Sequence, residues 1–299
     1  ASTDEYQVNK APSRLDSTKK FIYNSETGAC LGRTCASWAK LTTFYLVYYS
    51  LLAGFFAVCI AVFFTTLDKD EPRQQGYDSL VKANPGMGFR PMPDVDSTLI
   101  RFEQGKPSSY KMYTDHIQAF LEQYENEAQE GEDFIDCENL KEENRDESKV
   151  CRFKLDSLGE ACTWQKDYGY DQGEPCVLLK LNKVFGWKPI EYDNGSFPQE
   201  MLDLNADTTP GNIHLTCEGE NPADHENMGK VEFYPPTGFP INYYPYLNQR
   251  GYRQPIVFAK FTRPKEGVVM QIWCKAWAEN IMHHKNDKAG SIHFELLVD

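Results

Sequence analysis

From Leu41 to Leu67 the chain runs 27 consecutive residues without a charge, between Lys40 and Asp68. As a helix rising about 1.5 Å per residue, that run covers roughly 40 Å. About 20 apolar residues suffice to cross the hydrocarbon core of a bilayer, so the run spans it with length left for tilt or for the headgroups. A helix buried in a soluble core does not need so long a stretch, rich here in Phe, Tyr and Leu. Nor does the run read as a cleaved leader. Such apolar cores are shorter, and the exit Phe63-Phe64-Thr65-Thr66-Leu67-Asp68 lacks a small-residue cleavage site. The expectation is one signal-anchor transmembrane helix over 41–67.

Charge orients it. Residues 1–40 hold six Lys and Arg against four acids, whereas the far flank opens with Asp68-Lys69-Asp70-Glu71. Basic flanks stay in the cytoplasm, which makes 1–40 a cytoplasmic segment and places everything after 67 outside the cell, a type II plasma-membrane topology. Of 31 basic and 44 acidic residues, 25 and 40 lie beyond the run, a net of −15. So acidic a domain does not grip nucleic acid or anionic lipid headgroups.

Cysteines divide along the same lines. Cys30 and Cys35 fall inside, where palmitate is one fate for them, and Cys59 lies in the span. Cys137, Cys151, Cys162, Cys176, Cys217 and Cys274 fall outside, an even number in an oxidising compartment. Six cysteines allow fifteen pairings and sequence alone selects none, although spacing favours sequential bridges. Each short loop so closed contributes about 3 kcal/mol in the chain-entropy account. One sequon, Asn194-Gly195-Ser196, sits outside in a turn-like setting suited to a glycan.

Residues 1–18 are polar and of mixed charge and read as disordered, with a juxtamembrane segment to residue 40. Residues 68–97 are punctuated by Glu71-Pro72, Asn84-Pro85-Gly86 and Pro91-Met92-Pro93 and read as an irregular stalk. Beyond it, 98–299 reads as one β-rich domain. Ile117, Phe120, Leu121 and Tyr124 recur at helical spacing, giving one amphipathic helix over about 114–128, and the acidic stretch 125–147 reads as solvated loop. Strands are expected at 176–185, 213–217, 230–234, 255–262 and 268–277, with a last one alternating Ile292, Phe294, Leu296 and Val298. Antiparallel strands with one wet face suggest an immunoglobulin-like β-sandwich, with Cys217 to Cys274 tying one sheet to the other. The fold class is therefore mainly β, behind a single N-terminal transmembrane helix.

Wound at 100° per residue, the span presents two stripes. Tyr45, Tyr49, Leu52, Phe56 and Phe63 form one; Ser50, Gly54, Ala57 and Ala61, small residues that let another helix approach closely, form the second. A tyrosine hydroxyl in lipid needs a hydrogen-bond partner, so docking on other membrane helices is expected. Catalytic readings fare worse. Asp94-Val95-Asp96 and Asp68-Lys69-Asp70 match a metal-binding Asp-x-Asp, but no alternation of strands and helices builds a nucleotide-binding sheet around them. His283 and His284 are adjacent, point apart, have no suitably spaced further ligand and read as solvated loop. No nucleophile elbow or phosphate-binding loop appears, and no cofactor is expected.

Several blocks are more specific than these patterns. Lys19-Lys20-Phe21-Ile22-Tyr23-Asn24-Ser25-Glu26, Leu31-Gly32-Arg33-Thr34 and Ser37-Trp38 resemble the cytoplasmic signature of the β subunits of Na,K- and H,K-ATPases. Phe44-Tyr45, Tyr49 and Leu52-Ala53-Gly54 resemble that family's membrane segment. Outside, the block from Pro175 to Pro189, Tyr243-Tyr244-Pro245-Tyr246 and Cys274-Lys275-Ala276-Trp277-Ala278-Glu279-Asn280-Ile281 are similar to further family blocks, in family order. The resemblance implies three sequential disulfides and a non-catalytic subunit beside a large catalytic α subunit. That subunit helps α to fold and leave the endoplasmic reticulum and tunes its handling of potassium. It also implies that Tyr45 and Tyr49 meet α membrane helices, beside the Gly54 stripe read from spacing, that Tyr243, Tyr244 and Tyr246 contact an extracellular α loop, and that a single-span FXYD-type regulator is a further neighbour. A single sequon argues for the sodium-pump branch over the heavily glycosylated gastric proton pump, and the Cys137–Cys151 loop is short for the family. Cell adhesion through the outer domain is a compatible alternative.

Overall fold

A computed structural model of the chain describes residues 14–25, 27–80, 82, 84–137, 146, 148–193, 196–284 and 289–299. It separates into two compact units, Ala1–Asp68 and Lys69–Asp299. The disorder expected for residues 1–13 and the Asn194 sequon lie outside the described residues.

In the first unit, helix α1 (Arg14–Ile22) leads into a two-residue hairpin of β1 (Tyr23–Asn24) and β2 (Ala29–Cys30), followed by α2 (Cys35–Thr65). Residues 14–18, read as disordered, thus start the helical turn of α1. Helix α2 begins before the apolar run because Thr34, extended at φ −73° and ψ 157°, sits at its N-cap position ahead of helix-competent Cys35-Ala36-Ser37-Trp38. The Trp38 indole N–H donates to the Cys30 carbonyl at 2.8 Å, holding the helix start to the hairpin. At the far end the Thr65 and Thr66 hydroxyls turn back onto the carbonyls of Val62 and Phe63, each at 2.7 Å. Those bonds satisfy acceptors that a helix terminus otherwise leaves open. A 31-residue helix of this composition fits a single membrane crossing.

The second unit is built on two sheets. Its strands are β3 (Met87–Arg90), β4 (Leu99–Phe102), β5 (Phe134–Ile135), β6 (Val150–Cys151), β7 (Cys176–Leu181), β8 (Asn212–Gly219), β9 (Lys230–Tyr234), β10 (Phe239–Pro240), β11 (Ile256–Thr262), β12 (Met270–Trp277) and β13 (Ser291–Val298). One sheet has the order β10-β8-β12-β13-β4, the other β3-β7-β11-β9, and β5 pairs separately with β6. The two large sheets are antiparallel except where β13 runs parallel to β4. Alternation decides which faces turn inward: Met270, Ile272, Cys274 and Ala276 of β12 are buried, as are Phe294, Leu296 and Val298 of β13. Phe294 stacks on Phe89 of β3 at 5.0 Å and meets Phe261 of β11 edge-on at 6.0 Å, so both sheets share one apolar core.

Four expectations need correction. Cys217 and Cys274 are direct register partners on neighbouring strands β8 and β12, with Cα atoms 4.0 Å apart. Their bridge ties strand to strand within one sheet, not sheet to sheet as in an immunoglobulin domain. The helix α3 (Pro107–Leu121) starts earlier than its Ile117-Phe120-Leu121-Tyr124 pattern suggested, because Pro107 initiates it and Tyr110, Tyr113 and Thr114 extend its buried stripe. Part of the stalk is sheet: β3 lies inside 68–97 and buries Met87 and Phe89. Part of the acidic stretch is core: Gln129 is fully buried, donates to the carbonyls of Tyr124 (2.5 Å) and Phe153 (2.8 Å), and accepts from the Phe153 amide at 2.8 Å. Three bonds satisfy that amide where water does not reach.

Two more disulfides pin the periphery. Cys137–Cys151 closes the β5–β6 pair, and Cys162–Cys176 fixes the irregular helical segment at 164–172 to the start of β7. Short helices α4 (Gln199–Asp203) and α5 (Pro222–Asn227) complete the unit.

Candidate partner-binding surfaces

No side chain of α2 is buried within its own unit, so an apolar helix longer than any other among the described residues leaves most of its circumference uncovered by that unit. Tyr45 and Tyr49, one turn apart, lie with ring centres 6.0 Å apart and nearly parallel, a rigid ridge that needs little ordering on contact. Beside them runs a groove bounded by Leu41, Leu46, Ser50 and Ala53. At Gly54 a Cβ would meet nothing within 4 Å, leaving bare backbone on the small-residue stripe. Ridge, groove and bare patch are the shapes by which membrane helices interlock without a hydrophobic driving force. Cys30, Cys35 and Cys59 are free and exposed.

In the second unit the three tyrosines of the Tyr243-Tyr244-Pro245-Tyr246 block do not share a surface. Tyr243 is buried, its hydroxyl donating to the Arg152 carbonyl at 3.1 Å and its ring 5.6 Å from Phe153. Tyr244 is buried edge-on against Trp187 at 5.4 Å, and burial pushes its phenol well above the usual range. Only Tyr246 is part-exposed; its hydroxyl bonds the Asn248 carboxamide at 3.0 Å and its ring sits 4.9 Å from Tyr252. The backbone of this block is joined to the 175–189 block: the Gly186 amide donates to the Tyr246 carbonyl at 2.8 Å, and Phe185 bridges Tyr246. Lys183, missed in the sequence, places its ammonium 5.4 Å from the rings of both Tyr246 and Tyr252. No linear pattern links these residues; only the meeting of the two blocks does.

The rejected catalytic motifs take ordinary structural roles. The Asp96 amide donates to the Asp94 carboxylate at 3.0 Å, a local turn at an exposed position. His284 is exposed, but His283 is part-buried: its Nε2 lies 2.8 Å from the Ala276 carbonyl, its ring 4.4 Å from Trp277, and burial holds its pKa below the ordinary 6.5. Among the described residues, no group of three or more His, Cys, Asp or Glu is placed to hold a metal ion.

Comparison with known proteins fits this combination of membrane helix and disulfide-bonded β domain. The family described as "Sodium / potassium ATPase beta chain" matches residues 8–294. The "Sodium/potassium-transporting ATPase subunit beta-2" of Drosophila melanogaster is 38% identical, over 95% of this chain and 92% of the relative. The "Probable sodium/potassium-transporting ATPase subunit beta-3" of Caenorhabditis briggsae is 36% identical, over 97% and 89%. The "Sodium/potassium-transporting ATPase subunit beta-1" of Tetronarce californica is 33% identical, over 91% and 92%. With a match that runs through both its units, the chain belongs to the sodium/potassium ATPase beta chain family.

Proposed function

We propose that this chain is the non-catalytic β subunit of a sodium/potassium-transporting P-type ATPase. It spans the plasma membrane once with residues 1–40 in the cytoplasm and carries its disulfide-bonded domain outside. It binds the catalytic α subunit, supports its folding and delivery, and adjusts its affinity for potassium. ATP is hydrolysed on α. Within the membrane Tyr45, Tyr49 and Gly54 form the contact, and outside it Tyr246 does so while Tyr243 and Tyr244 hold the loop from beneath. Asn194 carries a glycan, and an FXYD-type single-span subunit is a further neighbour in the complex.

The observation that carries this reading is the unburied α2, whose tyrosine ridge and bare Gly54 patch face no other part of their own unit, in a chain that matches the family over 8–294. Isolation from native membranes in mild detergent tests it. A partner of about 100 kDa with ouabain-sensitive, potassium-dependent ATPase activity is expected to come with the chain, and Tyr49→Ala with Gly54→Leu to reduce its recovery several-fold. Ouabain-insensitive proton pumping moves the chain to the gastric branch. Recovery of the chain alone, under conditions that keep other membrane complexes whole, removes the subunit reading and leaves adhesion.

A further inference from the structure

One concave patch of the outer domain collects positive charge that no carboxylate among the described residues neutralises. Its frame is the β3–β7 pair, in which Gly88 lies opposite Lys180 and Arg90 opposite Leu178. Gly88 has no side chain, and the Lys180 stem occupies that space: a Cβ at Gly88 would come within 3.2 Å of Lys180 Cε. So directed, the Lys180 ammonium sits 5.3 Å from the ring centre of Phe120 on α3, and the Arg90 guanidinium 5.6 Å from the same ring. Lys183 lies against Tyr246 and Tyr252. Arg253 donates Nε to the Gln123 carbonyl at 2.6 Å and Nη1 to that of Gly251 at 3.0 Å. Ring faces and carbonyls hold all four cations.

This arrangement is costly for an empty site. Burial depresses the Lys180 and Lys183 pKa values first, and the charges that act on them are further cations: Arg90 and Lys183 on Lys180, Arg253 on Lys183. Like charges brought together and partly dehydrated oppose folding. Acids are abundant beyond residue 67, 40 against 25 bases, yet among the described residues none forms an ion pair here.

Between these side chains is a cavity of about 190 Å³, lined by Lys180, Lys183, Phe120, Tyr252, Gln123 and Gln254. Gln254 is only 6% exposed, and among the described residues its carboxamide makes no hydrogen bond. Its amide is not sealed from solvent and is free to donate into the cavity. We propose that this cavity is an oxyanion site that takes a phosphate or sulfate group. Lys180 and Lys183 donate to its oxygens, the Gln254 amide supplies a third donor, and Arg90 and Arg253 raise the local potential. The volume lies below the roughly 300 Å³ at which drug-sized ligand pockets begin, so one tetrahedral group fits and a nucleotide does not. That group belongs either to the free inorganic ion or to a sulfated sugar chain whose next residues rest on the rim.

Calorimetric titration of the full chain in mild detergent, disulfides intact and ionic strength fixed, decides. The probes are inorganic phosphate, sulfate and a sulfated hexasaccharide. Saturable binding of the two ions with no gain from the hexasaccharide assigns the free ion; hexasaccharide binding about tenfold or more tighter than sulfate assigns the sugar chain. In either case Lys180→Gln with Lys183→Gln is expected to weaken binding about tenfold or more. Lys230→Gln, whose ammonium already pairs with Glu232 at 2.9 Å, is expected to leave it unchanged. Should the double variant fail to fold, Gln254→Leu with unchanged circular dichroism is expected to weaken binding several-fold. Absence of binding by all three probes overturns the proposal, as does binding insensitive to these substitutions. Binding of a glutamate-rich peptide in place of all three also overturns it, and makes the patch a protein contact.

Discussion

Lys275 on β12 is nearly enclosed, with 4% of its side chain exposed, and its ammonium bridges Glu218 of β8 at 2.7 Å and Glu200 of α4. The ammonium also lies 4.0 Å from the centre of the Trp273 ring. Removing one partner of a fully buried pair costs roughly 3–5 kcal/mol, because the other charge stays buried and unpaired. Here the carboxylates keep different access to water: 23% of the Glu218 side chain is exposed but 55% of Glu200. Lys275→Ala should therefore fall near the low end, about 3 kcal/mol, part of it the stem's packing against Trp273. The partners should not share that loss equally. A double-mutant cycle with Glu218→Gln is expected to give a coupling of about 1.5–2 kcal/mol, and one with Glu200→Gln less than about 1 kcal/mol, since an exposed carboxylate is rehydrated when its partner leaves. Urea unfolding of the full chain in mild detergent, without reductant and followed by tryptophan fluorescence, reads both, with Trp273 and Trp277 adjacent to the change. A Glu200 coupling equal to or larger than that of Glu218 would refute the reasoning that burial, not contact, sets the strength of this network.

Three further outcomes follow from single positions. Gly238 has φ +97°, and a Cβ there would stand 2.1 Å from the Ile213 carbonyl oxygen, at the end of the β10–β8 pairing. Gly238→Ala is expected to cost about 3 kcal/mol or more in the same unfolding assay. Gly186→Ala, at φ +69° with nothing within 4 Å, is expected to cost only about 1 kcal/mol, so equal losses would count against the clash. Burial holds the His283 and His214 pKa values below 6.5, so the unfolded chain binds protons more readily as pH falls through that value. Their contribution to stability is full above about pH 6.5 and declines beneath it, by at most about 1.4 kcal/mol per histidine at pH 5.5. A lower thermal midpoint at pH 5.5 than at 7.5, diminished by His283→Gln, checks this. The Glu232 carboxylate, held below its ordinary 4.5 by hydrogen bonds from Lys230 and Tyr234, titrates outside that window.

How much of this was legible depended on whether the signal was local. Helix α2 was plain because a missing charge needs no tertiary context, and β13 because alternation reports a half-buried strand directly. Pairing is different. The sequence separation of 57 from Cys217 to Cys274 says nothing about whether their strands are neighbours, and the in-sheet bridge appears only once β8 lies beside β12. Amphiphilic residues misled for a related reason. Tyr110 and Tyr113 look polar enough for a surface, yet they bury their rings around Tyr170, which moves the start of α3 well ahead of its aliphatic pattern.

The candidate surfaces divide the same way. On α2, position along the helix fixes position around it, so the Tyr45–Tyr49 ridge and the Gly54 patch could be assigned from spacing alone. In the Tyr243-Tyr244-Pro245-Tyr246 loop no period applies, and the expectation of a contact there came from family resemblance alone; the structure buries Tyr243 and Tyr244 and leaves Tyr246 part-exposed. Tyr246 instead groups with nearby Tyr252 and with Lys183, which lies far off in the sequence. An irregular loop places its side chains by what packs beneath it. Tyr243, bonded to the Arg152 carbonyl, therefore anchors the loop that carries Tyr246.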